Sequence, residues 1–224
     1  MRTPRRSLAA PVILLAFVAL SSCYFGVSRF PVRAAQRQPR HPAADLHGLA
    51  TQNGGEFISA FNADRSVPYP NIAELAKRSR EIVIGRATGF RDRITTDGTS
   101  VTKDTAIEVQ EVLKGDIGKR AFILVSLPGG AHAFPDGTMA FVYARNYRRP
   151  EVGKTYLLFL NGKHPVARGY ALAGGIQGQF ELDFSKGTVM PSNVVTHDPL
   201  VARHKGQPIS ALLAELHAAL RSNK

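Results

Sequence analysis

The chain contains no tryptophan and a single cysteine among its 224 residues. A lone thiol has no disulfide partner within the chain, so disulfides are not expected to stabilise the fold. Aromatic residues make up 8 % of the sequence and hydrophobic residues 44 %, which predicts a largely aliphatic core. The length allows one ordinary domain with extensions.

Acidic residues are few relative to basic ones. The 17 Asp and Glu residues face 29 Lys and Arg residues, giving a formal net charge of +12. Such an excess suits an anionic partner, for example nucleic acid, an anionic envelope polymer or an anionic membrane surface. The basic residues are scattered and not clustered, and this favours the alternative of a solvated basic surface without a dedicated partner.

Motifs for catalysis and metal binding are also lacking. There is no Gly-x-Ser-x-Gly elbow, and no two histidines have the helical spacing with a glutamate that zinc peptidases use. His197, Asp198 and His204 form only a loose grouping in a loop, and residues 153–155 lack the earlier glycine of a phosphate-binding loop because Arg148 occupies its place. The sequence therefore predicts a protein that is not an enzyme and has no cofactor and no metal site.

The first 23 residues have the order of a secretory signal. Residues 1–7 are basic, residues 8–20 are apolar, and Leu20-Ser-Ser-Cys23 follows. This tetrapeptide resembles the lipobox of bacterial lipoproteins, in which the cysteine is lipidated and becomes the mature N-terminus. We therefore expect a signal peptide at residues 1–22 and lipidation at Cys23, which would also explain an exported thiol without a disulfide partner.

Two alternatives for the N-terminus remain open. Cleavage could occur later, near Ala34, and release a secreted protein. The apolar run to Val27 could instead remain as a membrane anchor, although ~20 apolar residues are normally needed to span a bilayer. Residues 23–66 are basic, contain several prolines and lack a hydrophobic period, so we predict a flexible tether there.

Residues 81–115 are predicted to form one long β-hairpin around which the domain is organised. The Asp-Gly pair at residues 97–98 supplies the positive φ angles that a tight hairpin turn requires. On the return strand the apolar alternation of Ile107 and Val109 slips by one position, which predicts a β-bulge near Glu111. Long, bulged and glycine-kinked strands are typical of small closed barrels.

The remaining pattern predicts a mainly-β domain at residues 67–192, followed by a loop and C-terminal helix at 193–224. A short helix capped by Asn71 precedes the hairpin, and a helix capped by Ser210 ends the chain with its leucine stripe packed on the barrel. Five to six strands without a β-helix-β rhythm favour a small closed barrel. Further strands are expected at residues 121–127, covered on both faces, at 139–144, at the hydrophobic centre 156–160, at 169–173, at 178–184 with Phe184 facing the core, and at 189–191.

Four segments carry a family resemblance: residues 81–86, 106–115, 153–160 and 175–180. Together they resemble a cysteine-free OB-like barrel of exported bacterial proteins, and more distantly the netrin and TIMP-type domains. The resemblance implies an OB-like fold. TIMP-type inhibition depends on an amino-terminal cysteine and on disulfides, which this chain does not provide, so no functional residue is transferred.

The candidate binding surface is a basic loop with an aromatic residue, formed by Arg145, Tyr147, Arg148 and Arg149. OB barrels bind oligonucleotides with similar residues, but an export signal favours an anionic envelope component or a protein partner instead. The sequence thus predicts a non-enzymatic, exported or lipid-anchored envelope protein. The alternatives are a TIMP-like peptidase-inhibitor module and a nucleic-acid-binding OB domain.

Overall fold

The computed structural model describes residues 45–63, 69–119 and 121–222 of the chain. Within these residues it contains four α-helices, ten strands and one short 3-10 helix, Gly175–Gly178. The helices are α1 (Leu46–Gln52), α2 (Ile72–Arg78), α3 (Pro199–His204) and α4 (Ile209–Ser222). The strands are β1 (Glu56–Asn62), β2 (Glu81–Ile94), β3 (Val101–Lys114), β4 (Phe122–Pro128), β5 (Gly130–Ala133), β6 (Met139–Arg145), β7 (Thr155–Lys163), β8 (Tyr170–Leu172), β9 (Gln179–Asp183) and β10 (Thr188–Pro191).

The strands form two sheets, so the predicted mainly-β class is confirmed. The larger sheet has the order β10-β9-β7-β2-β3-β4-β8, and the smaller one has the order β1-β6-β5. In the smaller sheet β1 runs parallel to β6, whereas β5 and β6 form an antiparallel pair.

Five strands of the larger sheet form a ring, because β8 pairs with both β4 and β7 while β2 and β3 complete the circuit. The contact between β4 and β8 is a single parallel pair, Val125 with Tyr170. The ring is therefore much less continuous there than along β2 and β3, and its closure into the predicted barrel stays a prediction.

The predicted hairpin is confirmed. β2 and β3 pair antiparallel, and Gly98 adopts a φ of 68° in the turn between them. The pairing slips beside Glu111, which lies opposite Ile84, while the next residue of β2, Gly85, lies opposite Val109. This confirms the β-bulge, and the bulges let two long strands bend through the ring.

Strand β7 is the centre of the core, as predicted. Residues 156–160 are each 2 % exposed or less. Leu157 and Phe159 face a cluster that includes helices α2 and α4, whereas Tyr156 and Leu158 belong to a second cluster with residues of β3 and β4. Both faces of β7 are buried, and this explains its uninterrupted apolar sequence.

The two predicted helices are present. Asn71 caps α2 through its side chain, which accepts a hydrogen bond of 2.9 Å from the backbone N–H of Glu74. Helix α4 begins at Ile209, so Ser210 lies inside its first turn and the prediction of a Ser210 cap was wrong. Leu212 and Leu216 are fully buried in the cluster that contains α2, which confirms that the helix packs on the sheet.

Part of the predicted tether is folded. Within the range 23–66, the residues of α1 and β1 form regular structure, and Phe57 and Phe61 pack with Leu46 in a third cluster. Strand β1 was not predicted because only two of its residues, Phe57 and Phe61, are large and face inward. Its partner β6 also lies far along the chain.

Two further predictions about burial were wrong. Strand β4 is not covered on both faces, because Phe122 is 69 % exposed and Leu124 is 38 % exposed. Strand β9 ends at Asp183, so Phe184 lies beyond it and is 63 % exposed instead of facing the core.

Candidate functional site

The structure removes Tyr147 from the predicted basic surface. Its ring packs against the core cluster around Tyr156, and its hydroxyl donates a hydrogen bond of 3.0 Å to Gln179 Oε1. Burial raises the pKa of Tyr147 well above its ordinary value. The residue therefore anchors the loop to the core cluster and to Gln179 of β9, and it is not an exposed aromatic contact.

The three predicted arginines have different surroundings. Arg145 is exposed at the end of β6, opposite Asn62 of β1. Arg148 is exposed and lines a small cavity together with Lys205, while Arg149 is half-buried beside Gly129. The remaining predicted site residue, Cys23, lies outside the described residues.

The loose grouping of His197, Asp198 and His204 has a structural explanation. Asp198 caps α3 by accepting hydrogen bonds from the backbone of Leu200 and Val201, and its other oxygen accepts from the side chains of Gln177 and Asn193. His204 is fully buried, and its Nδ1 is hydrogen-bonded to Gln207. Across the part of the chain that the structure describes, no group of three His, Cys, Asp or Glu side chains could hold a metal ion.

A cleft lies at the far end of the β2-β3 hairpin, and we call it the arginine cleft. Its volume is about 390 Å³, and its walls are residues 91–96 of β2 and the turn, Thr102 and Asp104 of β3, His132 of β5, and residues 166–168 of the β7-β8 loop. It contains Arg91, Arg93 and Arg168, and Arg91 and Arg168 are exposed.

The floor of the arginine cleft is a neutralised ion-pair network. Asp104 is 2 % exposed, and one of its oxygens lies 3.2 Å from Arg93 Nε while the other accepts a hydrogen bond of 2.6 Å from Ser126. Asp92 is bound by Lys103 Nζ and by the backbone N–H of Ala131. Each acid of the cleft thus already has a cationic partner.

Two arginines of the cleft, Arg91 and Arg168, do not take part in these ion pairs. Among residues 45–63, 69–119 and 121–222, neither Arg91 nor Arg168 has a carboxylate within ion-pair distance. Guanidinium groups bind carboxylate and phosphate oxygens through paired hydrogen bonds. The cleft is therefore positively charged, and the guanidinium groups of Arg91 and Arg168 can each donate paired hydrogen bonds to an anion.

The loop that carries Arg168 is held by one hydrogen bond within the loop and by two to other parts of the chain. The backbone N–H of Gly169 donates to Ser126 Oγ at 2.9 Å, and its carbonyl accepts from His164 at 2.8 Å. The carbonyl of Val166 accepts from the backbone of Thr96 at 3.1 Å. A Cβ atom on Gly169 would lie 2.6 Å from the Leu124 carbonyl oxygen, so a glycine is required for this close approach.

A second cavity, the inner cavity, lies beside the arginine cleft. Its volume is about 280 Å³. Thr95, Thr102 and Val166 line both the arginine cleft and the inner cavity, so the two spaces are adjacent. His164 also lines the inner cavity, and burial lowers its pKa below the ordinary value of 6.5.

Ser126 has a structural role in this region. Its hydroxyl donates to Asp104 and accepts from Gly169, and none of the described histidines shares these hydrogen bonds. A nucleophilic serine requires a base that removes its proton, which this arrangement does not provide. Glu181 of β9 is 8 % exposed and forms an ion pair of 2.9 Å with Lys154.

The arginine cleft was not predicted from the sequence. The run Arg91-Asp92-Arg93 lies inside β2, which continues to Ile94. Two arginines at a spacing of two on a strand point to the same side, and this spacing was the available signal. Nothing in the sequence indicated that Arg168 joins them.

Comparison of the chain with family models, with curated proteins and with solved structures finds no significant match. In the portion of the chain that the structure describes, no helix is both long and apolar enough to cross a bilayer.

Proposed function

We propose that this protein is a non-enzymatic binding protein of the cell envelope, and that the arginine cleft binds the phosphate or carboxylate group of an anionic envelope component. The proposal replaces the loop at residues 145–149 with the cleft as the binding surface. The positive net charge of the chain would assist the approach of such a ligand.

The observation that carries this proposal is the unbalanced charge of Arg91 and Arg168. The acids of the cleft are paired with Arg93 and Lys103, so they do not neutralise these two side chains. An ion pair at an exposed position contributes about 0.2 to 1 kcal/mol. Two exposed arginines that share one anionic group should therefore contribute up to about 2 kcal/mol together, which corresponds to roughly tenfold or more in affinity.

The test is calorimetric titration of the protein with ethyl phosphate at low ionic strength. The double variant Arg91→Gln/Arg168→Gln should weaken binding at least tenfold. The matched control is Arg145→Gln/Arg148→Gln, which removes the same charge from the predicted loop and should leave the affinity within about twofold. Equal losses in both variants would show a non-specific charge effect and contradict the assignment of the cleft.

Attachment to the envelope through Cys23 is a separate part of the proposal. It is supported by the order of basic, apolar and lipobox-like residues at the N-terminus. Palmitate labelling in cells should be present in the wild type and absent in Cys23→Ala. Unchanged labelling, or its complete absence in both proteins, would remove the lipid anchor and leave the cleft proposal intact.

The finer fold assignment is also a proposal: the ring of β2, β3, β4, β8 and β7 is an OB-like barrel. It is supported by the strand number and by the bulged hairpin, which forms two of the five strands of the ring. OB folds are five-stranded and partly open, and the weak β4-β8 contact is compatible with that description. An experimental structure in which β8 pairs with β7 alone would contradict it.

A further inference from the structure

The inner cavity offers a second environment directly beside the arginines. Apolar groups from several elements line it, among them Ala63, Pro128, Ala171, Leu172 and Ile176. These come from the residue after β1, from β4, from β8 and from the 3-10 helix. The cavity is thus formed by closure of the fold and is not a gap between two loops.

Three of the polar side chains that line the inner cavity already have hydrogen-bond partners within the protein. Thr95 Oγ1 donates to Asp97 at 2.6 Å and accepts from the backbone N–H of Ser100 at 3.0 Å. Ser126 Oγ is bonded on both sides, as described above, and His164 Nδ1 accepts from Val166 at 3.3 Å. A polar ligand group would gain little here, since these side chains have their hydrogen-bond partners within the protein.

The size of the inner cavity suits a small apolar group. An apolar cavity of ~150 Å³ accommodates benzene. At about 280 Å³, the inner cavity has room for one ring or a short alkyl chain. Because three residues line both spaces, a ligand with its anionic group at Arg168 can place an attached apolar group in the inner cavity.

We infer that the ligand is an amphiphilic anion, with its phosphate or carboxylate group on Arg91 and Arg168 and a short alkyl or aromatic group in the inner cavity. This inference rests on the proposed function and specifies the ligand class of the same site. A small inorganic anion would leave the inner cavity unused, and a neutral apolar molecule would leave the two arginines unused.

The experiment is a chain-length series of alkyl phosphates, titrated calorimetrically below the concentration at which they self-associate. Ethyl, butyl, hexyl and octyl phosphate present the same head group. Each methylene group that enters the cavity should increase the affinity about fourfold, and the increase should stop when the cavity is full. The predicted result is much tighter binding of hexyl than of ethyl phosphate.

Variants that fill the inner cavity supply the structural control. Ala171→Leu and Ala63→Leu add volume from two different segments of the lining, so either should reduce hexyl phosphate binding at least tenfold and leave ethyl phosphate binding unchanged. Ala214→Leu makes the same change at an exposed position of α4 and should have no effect on either ligand. Circular dichroism and thermal unfolding confirm that each variant is folded.

The outcomes separate the two proposals. If ethyl phosphate binds and the affinity does not increase with chain length, the amphiphile inference is wrong and the anion site stands. If no alkyl phosphate binds, both fail. A chain-length dependence that persists in both cavity-filling variants would place the alkyl group elsewhere and also overturn the inference.

Discussion

The hydroxyl group of Ser126 joins the two sides of the arginine cleft. It donates to the buried carboxylate of Asp104 and accepts from the backbone of Gly169, one residue beyond Arg168. The substitution Ser126→Ala leaves a buried acceptor and a buried donor without a partner. Each such group costs roughly 1 to 3 kcal/mol, so the free energy of unfolding should fall by about 2 kcal/mol or more.

Denaturant unfolding measures this loss, and amide hydrogen exchange locates it. The N–H of Gly169 should exchange faster in Ser126→Ala, because its acceptor is removed. Ser210→Ala, at an exposed position of α4, is the control and should change neither quantity. Unchanged exchange at Gly169 would mean that Ser126 does not hold the loop.

His164 makes stability depend on pH. Burial lowers the pKa of His164 below 6.5, so the folded protein holds the neutral ring while the unfolded chain takes up a proton first as the pH falls. The unfolded state then binds more protons, and stability decreases with decreasing pH. The free energy of unfolding should be constant with respect to this group above about pH 6.5 and decline below it.

Urea unfolding of the wild type and of His164→Gln at pH 8 and pH 5 tests this expectation. The variant should lose less stability than the wild type between the two values. His217→Gln, at an exposed position of α4, is the matched control. A wild-type loss that is fully retained in His164→Gln would assign the dependence to other groups.

At the scale of elements, β7 is the central strand of the hydrophobic core. Leu158 is 1 % exposed and lies opposite Val83 of β2 and Gln179 of β9. Leu158→Ala should cost about 2 to 5 kcal/mol, because it removes buried contacts and leaves a cavity. Leu158→Asp should prevent cooperative folding, since a buried carboxylate without a partner costs still more.

Thermal and denaturant unfolding measure both variants. Phe184→Ala is the control, because Phe184 is 63 % exposed and its truncation should change stability by less than about 0.5 kcal/mol. Soluble and cooperative folding of Leu158→Asp would contradict the central position of β7.

Short sequence patterns predicted those elements whose structure depends on residues close together in the chain. The Asp-Gly pair specifies the hairpin turn, and the slipped alternation specifies the bulge beside Glu111. The apolar run of β7 specifies a strand buried on both faces. In contrast, β1 depends on pairing with β6, so its own residues carried too little signal, and the segment was predicted as a tether.

At the scale of the whole molecule, the candidate site depends on closure of the ring. Arg91 belongs to β2 and Arg168 to the loop before β8, and only the packing of that loop on the hairpin brings them to one cleft. No spacing in the sequence encodes this proximity. The loop at residues 145–149 has basic residues close in sequence, but the fold turns Tyr147 inward and gives its arginines different neighbours.

The central claim is that the arginine cleft binds one anionic group. Nuclear magnetic resonance of the arginine side chains, recorded during titration with butyl phosphate, tests it most directly because every Nε–H group reports separately. If the cleft is the binding site, Arg91 and Arg168 show saturable shifts, and the shifts of Arg145, Arg148 and Arg149 are small and do not saturate. Saturable shifts at the last three residues, with Arg91 and Arg168 unchanged, would contradict it.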